Sequence, residues 1–308
     1  MFKNKKIFII IVLFFGINFS HAFNIKKVET PTDKNDFVLF PAKTEIEILP
    51  GERVIKEFTV TNRSTEKADF SIEFEGLEQP EDPFGPANTV PGDRRASSAL
   101  KFLDTEIEEF TLSPGEQATF FVSVGVPGNT KPGSYSGVIL VSSSFRGFGG
   151  GTNHIISRVG SLIFIKVPFT YGEALEDSGD YLDVAHKDGK FLITFDNKGE
   201  TVLNPYGIIE INSIWGETLE KVAIDPWYIL QGTKRAREIS WNKKAPFPYY
   251  SIKALMYPGY GGMENIKEFN FKILSDNFYG IVIIIMILIV TIIVFALKLK
   301  KKIKNNKK

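Results

Sequence analysis

Between Phe37 and Val167 the chain offers no apolar period of helical length. Apolar and polar residues instead alternate in short runs, broken about every ten residues by Pro, Gly or Asn. Alternation with a period of two puts one face of a strand in a core and the other in water, and with turns this frequent it is the signature of an antiparallel sandwich. In Val54-Ile55-Lys56-Glu57-Phe58-Thr59-Val60 the core face is Val54, Phe58 and Val60; in the run from Ala118 to Val124 it is Ala118, Phe120, Val122 and Val124. Each run is entered through the same turn, Pro50-Gly51-Glu52 and Pro114-Gly115-Glu116. Proline presets the first central angle of a type II turn and glycine takes the positive φ of the second. Further strands are expected at Phe70 to Phe74, Tyr135 to Val141 and Ile155 to Val167, with Pro168 marking the exit from the sheet. Between them, residues 78–98 carry Pro80, Pro83, Pro86 and Pro91 and form a long Pro-rich loop of the functional kind.

After a polar joint at Glu176-Asp177-Ser178-Gly179-Asp180, alternation resumes at Lys190 to Phe195. Turns are expected at Asn197-Lys198-Gly199 and Asn204-Pro205-Tyr206-Gly207, and another strand over Tyr249 to Tyr257. The expected architecture is all-β: a sandwich over 23–170, which includes the loop, and a shorter one over 171–275. Each has the size of a domain with its own core.

The two ends place this body relative to a membrane. Residues 1–22 run from Lys3, Lys5 and Lys6 through eleven apolar residues to Ser20-His21-Ala22, the pattern of a signal peptide cleaved after Ala22. Residues 278–297 hold no charge and, as a helix, cover about 30 Å, the hydrocarbon thickness of a bilayer. Lys298, Lys300, Lys301 and Lys302 open the basic tail, 298–308, and read as a cytoplasmic stop-transfer flank. The expectation is a single-pass cell-membrane protein with its body outside. Without the ten lysines of the two ends, 27 basic residues face 36 acidic ones, which argues against a nucleic-acid partner. The Lys, Ile, Asn and Phe bias points to a bacterium of low GC content.

Pro-Gly-Glu leading into Val60-Thr61-Asn62, the second Pro-Gly-Glu, Val126-Pro127, Pro132 to Gly137 and Arg158 to Leu162 together resemble the amino-terminal Ig-like domain of the WxL-interacting protein type. The second region, with Asn197-Lys198-Gly199, Asn204 to Gly207 and Tyr249-Tyr250, is similar to the Ig-like module that follows it in such chains. The same turn grammar occurs in pilus chaperones and other Ig-like folds. The resemblance implies two tandem Ig-like β-sandwich domains on a bacterial cell surface, the first associated with peptidoglycan and the second engaging surface partners.

Chemistry is sparse. The chain has no Cys, which excludes thiol catalysis, disulfides and Cys zinc sites. After removal of His21 only His154 and His186 remain, and they form neither HExxH nor a facial triad. No serine sits in a GxSxG elbow, and Gly147 to Gly151 lacks the GxxxxGK of a phosphate cradle. Neither an enzyme nor a cofactor is expected. The aromatic residues of the second region stand as a sugar-stacking platform or, more simply, as core. Asn62-Arg63-Ser64 matches a glycosylation sequon, a pattern short enough to arise by chance.

Two functions follow: a membrane-anchored binding protein for cell wall (peptidoglycan) or a surface protein, and a non-catalytic scaffold subunit pairing through sheet edges. The candidate partner contacts are Phe84, Arg94 and Arg95 in the Pro-rich loop, Phe148 in the glycine-rich connection, and Trp215 and Tyr260, both expected exposed beside glycine.

Overall fold

The structure is a computed structural model that describes residues 23–146, 154–168, 177–241, 249–274 and 278–305. Eleven strands build the first sandwich: β1 (Asn24–Lys27), β2 (Phe37–Phe40), β3 (Lys43–Glu47), β4 (Arg53–Asn62), β5 (Ala68–Glu78), β6 (Asn88–Pro91), β7 (Leu103–Thr105), β8 (Glu109–Leu112), β9 (Glu116–Gly125), β10 (Gly133–Arg146) and β11 (His154–Val167). One layer has the order β1-β9-β4-β2, with β7 continuing the β1 side of β9. The other has β3-β11-β10-β5-β6, with β8 also on β5. The chain changes layer between β2 and β3, after which β3 runs parallel to β11, the one parallel pair among the described strands.

The alternation places the core as expected. Phe58, Val60, Ala118, Phe120, Val122 and Val124 are buried, facing Ile139, Val141, Ile163 and Ile165 from the other layer. Burying one such side chain contributes about 1.5–3 kcal/mol, so the face that alternates toward the core dictates the strand's register. Gly51 and Gly115 take φ of +90° and +73°, as type II turns require. Each following glutamate adds a contact: Glu52 Oε2 accepts from the Leu49 N–H (3.1 Å) and Glu116 Oε2 from the Ser113 N–H (2.7 Å).

The second sandwich has β12 (Gly179–Lys187), β13 (Lys190–Asn197), β14 (Tyr206–Asn212), β15 (Thr218–Ile224), β16 (Lys234–Ser240), β17 (Tyr249–Tyr257) and β18 (Lys267–Leu274), in layers ordered β12-β13-β16 and β15-β14-β17-β18. Its core centres on Phe191, Ile193, Phe195, Ile209, Ile252 and Tyr250. A small apolar cluster, Leu77, Phe164 and Leu230 with Leu162, Val202 and Tyr228 against it, joins the outer face of the β11-β10-β5 layer to the second sandwich. Beside it the Ser134 N–H donates to the Glu200 carbonyl (3.1 Å), Ser134 Oγ accepts from the Val202 N–H (3.0 Å), and the Ser134 carbonyl accepts from Gln231 Nε2 (2.8 Å).

A helix, α1 (Phe278–Asn305), follows the second sandwich. Its apolar part, Phe278–Leu299, is long enough to cross a membrane. The helix extends past 297, so Lys298, Lys300, Lys301 and Lys302 lie within it. The expected signal peptide, the glycine-rich connection with Phe148, and residues 169–176, which include the first residue of the polar joint, lie outside the described residues.

Candidate functional site: an open strand edge

β10 and β11 form a hairpin paired over fourteen residues each, from Gly133 with Val167 to Arg146 with His154. β3 covers the far side of β11 only over Leu162 to Lys166. From His154 to Ser161, β11 has β10 on one side and, among the described residues, no strand on the other. Backbone groups of a strand alternate in direction, and the Leu162 N–H points away from β10 to the Ala42 carbonyl (3.0 Å). The N–H and C=O of Gly160, Arg158 and Ile156 therefore point along the same open edge.

The surroundings of this edge are apolar and fixed. Ile156 is 66% exposed, and so is Phe40, the last residue of β2. Ser161 Oγ donates to the Pro41 carbonyl (2.6 Å), which seats Phe40 next to the start of the open edge. Gly160 has no room for a side chain, because a Cβ there would stand 2.7 Å from Val138 Cγ2. Arg158 is held across the outer face: its guanidinium donates to Glu73 (2.8 Å), Glu75 (2.9 Å) and Ser142 Oγ (3.2 Å). Glu75 is buried and its second carboxylate oxygen has no hydrogen-bond partner. The rigid sheet thus offers a donor and acceptor row with apolar side chains beside it, the arrangement to which an extended segment adds as a further strand. Three other edges are protected: β3 is short and charged, β6 is short and ends on Pro91, and the Ala236 N–H of edge strand β16 donates to the Pro83 carbonyl (2.8 Å).

That last bond is one of several that tie down the Pro-rich segment over 78–98. β6 pairs back on β5, Pro83 docks on β16, and Arg95 ties the segment down by donating to Asp93 Oδ1 (2.8 Å), Glu78 (2.9 Å) and the Leu77 carbonyl (3.2 Å). The Arg95 hydrogen bond holds the Asp93 carboxyl below its ordinary range. Phe84 is half-exposed and lines an open cleft of about 690 Å³ with Trp227, Tyr228, Arg235 and Arg237, the Arg235 guanidinium lying 4.5 Å from the Tyr228 ring centroid. Arg94 is exposed. Trp215 is 73% exposed on the β14–β15 turn. Tyr260 is not exposed as expected: it is half-buried, and its hydroxyl donates to the Gly179 carbonyl (2.6 Å) and accepts from the Gly179 N–H (3.1 Å). These candidates are spread over the molecule rather than gathered in one site.

Sequence reasoning missed the open edge, since an edge depends on where a neighbouring strand stops. The one legible signal was the length of the apolar run from Ile155 to Val167. No group of three His, Asp or Glu is placed to hold a metal among the described residues, and His186 packs edge-on against Phe191 (5.2 Å) and Trp241 (5.6 Å).

No protein-family model matches the chain, and no curated protein sequence matches it. Solved structures similar to it include the class 5 fimbriae chaperone CfaA, at 13% identity and a TM-score of 0.40, covering 78% of this chain and 100% of that one. Another is the CsuC–CsuE chaperone–tip adhesion subunit pre-assembly complex from archaic chaperone-usher Csu pili of Acinetobacter baumannii, at 11% identity and 0.39, covering 77% and 97%. The E. coli chaperone DraB matches at 13% identity and 0.36, covering 77% and 97%.

Proposed function

We propose that this chain is a membrane-anchored, extracytoplasmic binding protein that holds a protein partner by adding a strand of that partner to the open edge of β11. The observation that carries the reading is the outward row of backbone groups at Ile156, Arg158 and Gly160, with Ile156 and Phe40 exposed beside it. Each backbone hydrogen bond gained contributes about 0.5–1.5 kcal/mol net, and apolar contact with Ile156 and Phe40 adds to it. Residues 1–22 are the signal, removed after Ala22; 23–170 and 171–275 form the outer body; 278–297 span the membrane; and the lysines from Lys298 hold the tail inside. In support of the signal reading, Phe23, the residue after the cleavage position, packs against Phe110 with ring centroids 5.6 Å apart.

Peptidoglycan, the ligand implied by the resemblance, has less in its favour. Trp241 and Tyr250, two of the rings weighed for a sugar platform, lie in the core, as the simpler reading has it. The test is retention of envelope proteins from mild detergent by the full chain, with sedimentation on purified peptidoglycan run in parallel. The Ile156 N–H faces the open edge, so Ile156→Pro removes an edge donor while leaving the β10 ladder its bonds. A protein partner retained by the wild type and lost with Ile156→Pro is the expected result. Equal retention by both would remove the edge from the proposal, and wall sedimentation without a protein partner would replace it.

A further inference from the structure

We propose that Trp215 inserts into the outer headgroup region of the membrane that holds α1, so that the second sandwich rests on the bilayer at two points, the chain connection and this side chain. The inference rests on the membrane-anchor reading given above. Its ground is strand register. Asn212, at the end of β14, pairs with Ser251 of β17, which pairs with Lys272 of β18; Tyr249 pairs with Leu274. The β14–β15 turn and the end of β18 therefore lie at the same end of one sheet, two strand spacings or about 10 Å apart. Three residues, 275–277, join Leu274 to α1, and fully extended they reach about 10 Å. The end of the sandwich that bears Trp215 is thus the end tethered to the bilayer surface.

The turn that carries Trp215 is closed by its own hydrogen bonds. Ser213 is buried; its N–H donates to the Glu217 carbonyl (2.8 Å), and its Oγ accepts from the N–H groups of Trp215 (3.2 Å) and Glu217 (3.2 Å). The Gly216 N–H closes the turn on the Ser213 carbonyl (3.1 Å), and Gly216 takes φ of +87°, the left-handed position that ends such a three-residue connection. A rigid turn thus presents a large ring at 73% exposure, whereas Trp227 and Trp241 are buried. Tryptophan concentrates at membrane interfaces because its apolar body and polar N–H suit the headgroup layer. Tyr279, on the first turn of α1, is 73% exposed, and Leu274, at the end of β18, is half-exposed.

The full chain reconstituted in vesicles with brominated phosphatidylcholine separates this inference from the anchor reading. Flotation with the vesicles and resistance to alkaline carbonate report the anchor. The emission difference between wild type and Trp215→Phe reports Trp215 alone, without disturbing either buried tryptophan. The expected result is a floated protein whose Trp215 component is blue-shifted and lost to bromine quenching. A floated protein whose Trp215 component stays red-shifted and unquenched overturns the inference and leaves the anchor standing, which would turn Trp215 toward a protein contact. A protein that neither floats nor resists carbonate overturns both.

Discussion

Asn62 and Asn197 stand at corresponding corners of the two sandwiches, fully buried, and do the same work. The Asn62 amide donates to the carbonyls of Glu66 (2.9 Å) and Leu112 (3.0 Å), and its oxygen accepts from the Ser64 N–H (2.9 Å). The Asn197 amide donates to Thr201 (2.8 Å) and Ile229 (3.0 Å), and its oxygen accepts from the Gly199 N–H (3.0 Å). A side chain so enclosed is no glycan acceptor in the folded chain. Removing it strands buried carbonyls, so Asn62→Ala and Asn197→Ala are each expected to destabilise their own sandwich by about 2–4 kcal/mol, read by denaturant unfolding followed by hydrogen exchange to separate the two. Asp93 gives a pH-dependent case. Its pKa lies below the unfolded value because Arg95 donates to it, so its stabilisation is complete above about pH 4 and is lost as pH falls through the folded value. Asp93→Asn should cost about 1–3 kcal/mol at pH 7 and progressively less toward pH 2, measured by urea unfolding across that range. A cost independent of pH would remove the charge from the account.

Individual elements were legible to different depths, for physical reasons. β4, β9, β13 and β17 follow directly from alternation, because each lies inside a layer with one face on a core. β5 outruns its expected span, Phe70 to Phe74, since it continues through Gly76 and Leu77 to Glu78, where β6 returns to pair with it. Gly76 is there to admit Asp93: a Cβ on it would meet the Asp93 carboxylate oxygen at 2.1 Å. Prolines at 80, 83, 86 and 91 announce a loop, yet they do not announce that its carbonyls and charges find partners on β16 and β5. The open part of β11 is the element on which the proposed function turns, and the Ile156→Pro comparison belongs to this scale.

At the scale of the whole molecule, the two sandwiches are joined by contact as well as by chain. Phe164 meets Tyr228 with ring centroids 5.2 Å apart, Leu230 is buried against Leu77 and Phe164, and Ser134 bonds to three residues of the second sandwich. Leu230→Ala should loosen this joint without unfolding either core. The expected observation is faster amide exchange at Val202 and Ser134 with protection at Ile139 and Ile209 unchanged; unchanged exchange at all four would show that Leu230 does not hold the joint. Under the proposed function a fixed joint matters, because it would set the height and direction in which the β11 edge is offered above the membrane.

The sequence alone determined the all-β class, the Pro-Gly-Glu turns, the core faces and the helix that can cross a membrane, because each rests on local steric rules or on a hydrophobic period read along one stretch of chain. Tertiary structure alone decided that β3 stops covering β11 at Leu162, that Arg95 and Tyr260 are held by their own fold, and that Trp215 shares an end of the sheet with Leu274. Those facts depend on which distant residues meet. Pairings such as Gly179 with Tyr260, or Asn212 with the level of Lys272, are fixed by the global packing of strands whose separation along the chain leaves no local trace.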